Sequence, residues 1–457
     1  MKEYKLKPKQ VPGYTKLVTQ LRHLLLYRMG TGKTVVWVKA MYDCQCRRVL
    51  ILCPKNAITV HENHIREWFQ GLDDDAGKDT WFAIHRYRGK YNNTDKRRAA
   101  LQLYDPTCQV NVYIMTYAAF VQDHMFIKFK PDCIVLDEAK RIRNRKSQAF
   151  KALVPLARDV KYIWPGTGTP GQIPWHFWTM FHLIDPKYFS SFWKFANAFH
   201  YTQKNPFGGT EILGIKNKDE WYRLLDSKTS QLTKKDMGHQ ETVRQVLHIE
   251  MDDDQRRLYA EIDEHMIAFS GENLIVAQTS MTKVLRLRQL LCCPKILDPN
   301  LSIGAAFADY VETIENDTDP HTVVFTPFTA SMPHFKQYFN EHGFDNVFFL
   351  HGGVGADELD DIIAEWKRTR GQLICSILYA TAFSLEPASE CFFPGYEWDP
   401  DDNEQAEERL NRLTTDYQVN SYYYAYEGTY TKQHLEILDA KYRNATETKG
   451  LLRPTQI

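Results

Sequence analysis

Eight short apolar runs, each closing on a polar or turn-forming cluster, constrain this chain more than any other feature it carries. Four lie in the first half, at Arg47 to Pro54, Val110 to Tyr117, Asp132 to Ala139 and Val160 to Pro170. Four lie in the second, at Thr322 to Phe328, Asn346 to Gly353, Gly371 to Ile377 and Ser421 to Gly428. Short apolar strands that alternate with turns and amphipathic helices build parallel sheets. The expected fold class is α/β, with two tandem parallel-sheet lobes and helical insertions between them. The first lobe is expected over residues 1–240, with a helical extension after 185. The second is expected over 241–457, with a helical insertion at 250–300. The intervening stretch, from about Pro186 to Pro299, is charged and reads as helix-rich, because Asp254 to Phe269 and Thr282 to Leu291 space their apolar residues helically.

Size and charge agree with two cores. The chain has 457 residues, 43% of them hydrophobic, more than one core usually serves. Lys plus Arg number 57 and Asp plus Glu number 57, a net charge of zero, so any polyanion must be held by a local patch and not by the field of the whole chain. The basic but polar N-terminus has no leader pattern, and no apolar run approaches the ~20 residues of a membrane span. The expectation is a cytoplasmic protein with no membrane association. The nine cysteines lack C-x-x-C spacing and are expected to be reduced, mostly buried thiols.

Ligands of open parallel sheets bind beyond the carboxyl ends of the strands, and the informative motifs sit there. A bound triphosphate needs converging backbone N–H groups, a helix N-terminus, a lysine for the β and γ phosphates and a hydroxyl for magnesium. MGTGKT supplies Gly30, Thr31, Gly32, Lys33 and Thr34, although Tyr27 stands where a strict phosphate loop has its first glycine. The following VVWVKAMY is expected to continue as a buried helix. Asp137 and Glu138 close an apolar run, where two adjacent carboxylates are costly unless a cation or proton uses them. In phosphoryl transfer the first can hold magnesium through water, and the second can orient and deprotonate the attacking water. Taken alone, each motif also has a plainer reading, as a turn before a helix or a solvated loop start.

Together these residues resemble the superfamily-two helicases, and among them the Swi/Snf-type DNA translocases, as a minimal core of bacterial or viral type. Leu6 to Gln10 (LKPKQ) is similar to that family's L-x-P-x-Q element, RMGTGKT to its E-M-G-L-G-K-T loop, VYIMTYAAF to its T-T-Y element and IVLDEAKRIRN to its D-E-A-H-R-I-K-N box. GTGTPGQIPWHFWTMFHLIDP resembles its T-G-T-P segment, LRQLLCCP its L-R-Q-x-C-x-x-P element, and DPDDNEQAEERLNRL its late Q-A-x-D-R-x-H-R-I segment. The resemblance implies RecA-like lobes, ATP and Mg2+ as cofactors, and double-stranded DNA as partner. Single-stranded DNA or RNA stand as alternatives, together with a monomeric state and a targeting protein.

Carried over residue by residue, the resemblance gives Gln10 to adenine, Lys33 to phosphate, and Thr34 and Asp137 to magnesium. Glu138 becomes the general base, and Thr167 and Thr169 couple the nucleotide to the other lobe. Gln405, Arg409 and Arg412 come from the second lobe, the arginines as fingers on the γ-phosphate, with a spacing expected to place all three on one helical face. DNA contacts are implied for Pro54, Lys55, Thr116, Tyr117, Thr326 and Thr329. The basic stretches His85 to Arg98 and Lys140 to Lys146 add electrostatic candidates, or are solvated faces. The chain departs from the pattern at Tyr27 and Arg28, where acidic residues are usual, at Lys140, which replaces the box histidine, and in Ser376 to Glu390, where the family's glycine-rich loop is hard to find. The activity implied is an ATP-dependent motor on double-stranded DNA; the alternatives are a strand-separating DNA or RNA helicase and a nucleotide-gated DNA-binding regulator with weak turnover.

Overall fold

A computed structural model of the chain describes residues 5–55, 57–69, 82–86, 98, 101–204, 210–271, 273–315, 321–380, 383–412, 415 and 417–449. In the first half the strands are β1 (Leu24–Tyr27), β2 (Arg48–Cys53), β3 (Phe82–Arg86), β4 (Val110–Thr116), β5 (Cys133–Asp137) and β6 (Tyr162–Gly166). An antiparallel hairpin follows, β7 (His200–Lys204) with β8 (Thr210–Ile215), and then β9 (Thr229–Leu232). Apart from the hairpin they form one sheet in the order β3-β4-β2-β5-β6-β1-β9, parallel throughout. Parallel strands covered on both faces become continuous apolar runs, and β2 shows it: Val49, Leu50, Ile51, Leu52 and Cys53 are all fully buried.

The second half repeats the architecture with β10 (Val243–Ile249), the hairpin β11 (Ile267–Ser270) and β12 (Asn273–Val276), then β13 (Thr322–Thr326), β14 (Val347–Leu350), β15 (Gln372–Ser376), β16 (Glu390–Phe393) and β17 (Asn420–Tyr426). Its six-stranded sheet runs β10-β17-β16-β13-β15-β14, again all parallel. The α/β class with two parallel-sheet lobes is as the sequence leads one to expect.

The described residues divide into two compact units: those up to His239 together with Arg443–Lys449, and Gln240–Tyr442. The returning tail is anchored within the first unit. Thr448 accepts the Trp221 indole N–H through its carbonyl at 2.7 Å and donates its hydroxyl to the Gln172 carbonyl at 2.7 Å.

The stretch from Pro186 to Pro299 differs from its helix-rich reading. It does carry helices Phe192–Phe199, Lys218–Lys228, Asp253–His265 and Ser280–Cys292. It also holds β7 to β12, among them the edge strands β9 and β10. Neither edge strand is an apolar run: β9 reads TSQL, polar although three of its four residues are buried, and none of the seven residues of β10 is buried. The helix expected over Asp254 to Phe269 stops at His265, where Met266 turns left-handed (φ +59°) and the chain enters β11. All nine cysteines are free thiols, and all but Cys44 are buried. Among the described residues no helix is long and apolar enough to cross a membrane.

Candidate nucleotide site

Parallel registry sets the carboxyl ends of three strands side by side: Leu25 of β1 pairs with Gly166 of β6, and Gly166 with Asp137 of β5. The loop after β1 crosses this edge. Gly30 (φ +77°) and Gly32 (φ +88°) both take the left-handed conformation that side chains avoid, and Gly32 caps helix Lys33–Asp43. A Cβ at Gly32 would lie 2.3 Å from Gln10 Nε2. Gln10 is buried and clamps the loop: Nε2 donates to the Thr31 carbonyl at 2.9 Å and Oε1 accepts the Lys7 N–H at 2.9 Å. The structure therefore places Gln10 against the loop with both amide ends engaged. Thr31 donates its hydroxyl to the Arg28 carbonyl at 2.7 Å. Lys33, buried, donates from Nζ to the Tyr27 carbonyl at 3.0 Å. Thr34 follows in the first helical turn, half-buried, and the helix buries Val36, Trp37, Val38, Ala40 and Met41, as expected.

Tyr27 explains the missing glycine. It ends β1 and has no positive φ, so the turn begins after it and makes no demand for glycine there. Its ring is 1% exposed, its hydroxyl donates to the Gln10 carbonyl at 3.3 Å, and burial raises its pKa. A Cβ on Gly13 would come within 2.1 Å of that hydroxyl, so a small residue at 13 makes room for a large one at 27. Tyr27 packs beneath the loop.

The carboxylates stand on the same edge. Asp137 Oδ2 lies 2.9 Å from His61 Nε2, and Oδ1 accepts the Glu138 N–H at 3.0 Å. Burial works to raise the Asp137 pKa, but the His61 bond and charge, the Lys33 ammonium and the Glu138 amide outweigh it and hold the group below the ordinary aspartate value. Glu138 is buried and adopts φ +50°, a strained conformation for a residue with a side chain. Its Oε2 accepts the Thr167 hydroxyl at 3.3 Å, and the same Thr167 oxygen accepts the Thr169 N–H at 3.2 Å. Lys33, Asp137, Glu138, Thr167 and Thr169 are thus gathered at one sheet edge. His61 was not anticipated. Its signal was positional: Ile58, His61 and Ile65 fall three and four apart on helix Ala57–Phe69, all buried, so the histidine sits on the buried stripe.

The second unit's three candidates do not share a helical face. Helix Pro400–Glu407 ends before Arg409. The Arg409 backbone N–H bonds to Ala406, while its side-chain Nε takes the Gln405 carbonyl at 3.1 Å. A helix end leaves carbonyls unsatisfied, and here a side chain satisfies one. Arg409 is wholly buried; it and Arg412 both donate to the Phe383 carbonyl. Burial lowers the Arg412 pKa, against the raising influence of Glu408 and Glu386. Gln405 is half-buried.

The candidate DNA contacts separate into two groups. Lys55 and Thr329 are exposed, whereas Pro54, Tyr117 and Thr326 are buried. The Tyr117 hydroxyl donates to the Asp137 carbonyl at 2.8 Å, and the Thr326 hydroxyl lies 2.9 Å from that of Ser331. Thr116 caps the next helix, accepting the Ala119 N–H at 3.1 Å. Most of the basic stretch at 85–98 lies outside the described residues. Within it, Arg98 bonds Asp123 at 3.1 Å and stacks over Phe126 at 3.9 Å. In the second stretch Arg141 and Lys146 are exposed, and Arg145 lies over the Phe192 ring at 4.5 Å.

The donors suit magnesium: a hydroxyl at Thr34 and a carboxylate at Asp137 kept ionised are hard oxygen ligands. Among the described residues no group of three or more His, Cys, Asp or Glu is placed to hold a metal. Such a pair fits an ion that keeps its waters and shares phosphate oxygens.

Fold and site together define a phosphate-loop nucleotide-binding core. Residues 15–296 match the SNF2-related domain family, well over half of the chain, and the protein belongs to that family, whose cores are of ATPase and helicase type. Relatives include the ATP-dependent DNA helicase DDM1 of Arabidopsis thaliana, 22% identical over 461 residues that cover 89% of this chain and 57% of that protein. Protein CHROMATIN REMODELING 5 of the same plant is 20% identical, covering 90% and 25% respectively. This chain thus spans little more than half of DDM1. Among solved structures, the Sulfolobus solfataricus SWI2/SNF2 ATPase core in complex with dsDNA is 19% identical, covering 98% of this chain and 94% of that one, with a TM-score of 0.43.

Proposed function

We propose that the chain is a DNA-dependent ATPase motor that couples hydrolysis to movement along double-stranded DNA. The observation that carries this reading is Glu138: a buried carboxylate, strained into place beside Asp137 and bonded to Thr167, at the sheet edge where the phosphate loop starts its helix. Lys33 exchanges the Tyr27 carbonyl for phosphate oxygens when a triphosphate enters. Glu138 orients water and takes its proton. Asp137 and Thr34 would hold magnesium, which would supply positive charge against the phosphates. Arg409 and Arg412 remain, from the resemblance, the candidates to stabilise the transferring phosphoryl group. Lys55, Thr329, Arg141 and Lys146 are the exposed candidates for phosphate contacts with DNA. Among relatives, DDM1 is an ATP-dependent DNA helicase, which supports the reading.

A second reading, a nucleotide-gated regulator with weak turnover, draws on the tethering of both arginines to the Phe383 carbonyl. Steady-state ATP hydrolysis without polynucleotide and with single-stranded DNA, duplex DNA or RNA separates the two, with Lys33→Ala as control. Stimulation by duplex, lost in the control, is expected; no stimulation by any of them overturns the motor and favours the regulator.

A further inference from the structure

The contact between His61 and Asp137 assigns a role to a residue that none of the motifs contains. Resting on the nucleotide reading above, we propose that His61 is a positioning residue that fixes the Asp137 carboxylate for magnesium.

The geometry carries it. An aspartate side chain turns about its last bond, and each oxygen here has a separate anchor: His61 Nε2 on Oδ2 and the Glu138 amide on Oδ1. With both ends held, the carboxylate plane is fixed, and the remaining lone pairs of both oxygens point in set directions. His61 is itself fixed. It is 2% exposed, lies between Ile58 and Ile65 on its helix, and stacks at 6.2 Å and 27° on the Trp37 ring. Trp37 stands one turn after Lys33 on the helix that the phosphate loop starts. Gly166 makes room for it, since a Cβ there would lie 2.3 Å from Trp37 Cζ2 and 3.2 Å from Lys33 Cδ. A continuous packed path therefore runs from the phosphate-binding helix through Trp37 and His61 to the magnesium carboxylate. Groups that orient metal ligands change metal affinity by about 10 to 100-fold when lost.

The test reads magnesium binding as well as turnover. Full-length wild type, His61→Phe, His61→Gln and His61→Met are titrated with Mg2+ in the presence of a fluorescent, non-hydrolysable ATP analogue, with the same analogue in EDTA as reference. His61→Phe keeps a ring against Trp37 and loses the bond; a rise of about tenfold or more in its Mg2+ midpoint is expected, with analogue affinity in EDTA unchanged. His61→Gln restores a donor and should return to within about threefold of wild type. A wild-type midpoint in His61→Phe overturns the proposal. If that variant does not fold, His61→Gln and His61→Met decide, and equal midpoints in those two overturn it. Wild type that binds the analogue without any dependence on Mg2+ overturns the nucleotide-magnesium reading itself, which separates that failure from failure of His61 alone.

Discussion

The Lys33 ammonium lies 3.0 Å from the Tyr27 carbonyl oxygen, so the phosphate lysine is bonded across its own loop, to the residue that replaces the loop's usual first glycine. Lys33 is buried, and a buried ammonium needs a partner. The backbone of Tyr27 supplies one and keeps the charge at the loop until phosphate oxygens compete for it. Lys33→Ala is expected to lower turnover by at least about 100-fold, in line with loss of a charge-stabilising group in a water-poor site. Normal turnover in purified Lys33→Ala would remove this lysine from the mechanism.

Tyr27 gives a prediction against motif logic. Restoring the loop glycine with Tyr27→Gly should not improve the site, because it removes a fully packed ring and its bond to the Gln10 carbonyl. Losing a buried aromatic costs roughly 3–5 kcal/mol, read as a lower denaturant midpoint. Tyr27→Phe, which keeps the ring and loses the hydroxyl with its 3.3 Å bond, should cost about 1 kcal/mol. A Tyr27→Gly variant as stable as wild type would show that the ring is not a support for the loop.

The fold was legible where a strand is an unbroken apolar run and obscure where it is not. β5 runs Cys-Ile-Val-Leu before Asp137, all four buried, and could be read directly. β9 and β10 are sheet edges, recognised by the strand beside them and not by their own composition. The phosphate loop and the carboxylate pair were visible because their chemistry is local. His61 was not, since its meaning depends on β5 from across the sheet edge. Helical spacing also misplaced Arg409 and Arg412: spacing shows which residues would share a face if the helix continued, and here the Arg409 side chain takes the carbonyl that its own backbone N–H would have taken.

The β11–β12 hairpin should respond to acid through Asp298. Ser270 and Asn273 donate to its Oδ2 at 2.6 and 2.8 Å, and the Asn300 N–H to Oδ1 at 3.0 Å. These bonds hold its pKa down, to about 2. A depressed carboxylate contributes stability that is complete above the unfolded value, about 4, and is lost as pH falls through the folded one. Asp298→Asn should therefore be less stable than wild type at pH 6, and the gap should close as pH approaches 2. A gap that persists unchanged into acid would show that the charge of Asp298 does not hold the hairpin.

Glu138 and Thr167 separate catalysis from binding most cleanly. Glu138→Gln keeps size and the acceptor toward the Thr167 hydroxyl but cannot take a proton. General bases contribute about 10² to 10⁴-fold, so turnover should fall by that range while ATP affinity stays within about threefold, because no phosphate-binding group is touched. Thr167→Val removes the hydroxyl that orients Glu138 and that accepts the Thr169 N–H. It should lower kcat about tenfold at nearly constant KM, the pattern of an interaction realised in the transition state and not in substrate binding. The two effects should not add. Once the base is gone, its orientation no longer matters, and the double variant should turn over no more slowly than Glu138→Gln alone. Full additivity in that cycle would place Thr167 on a separate path from Glu138, and normal turnover in Glu138→Gln would remove it as the base.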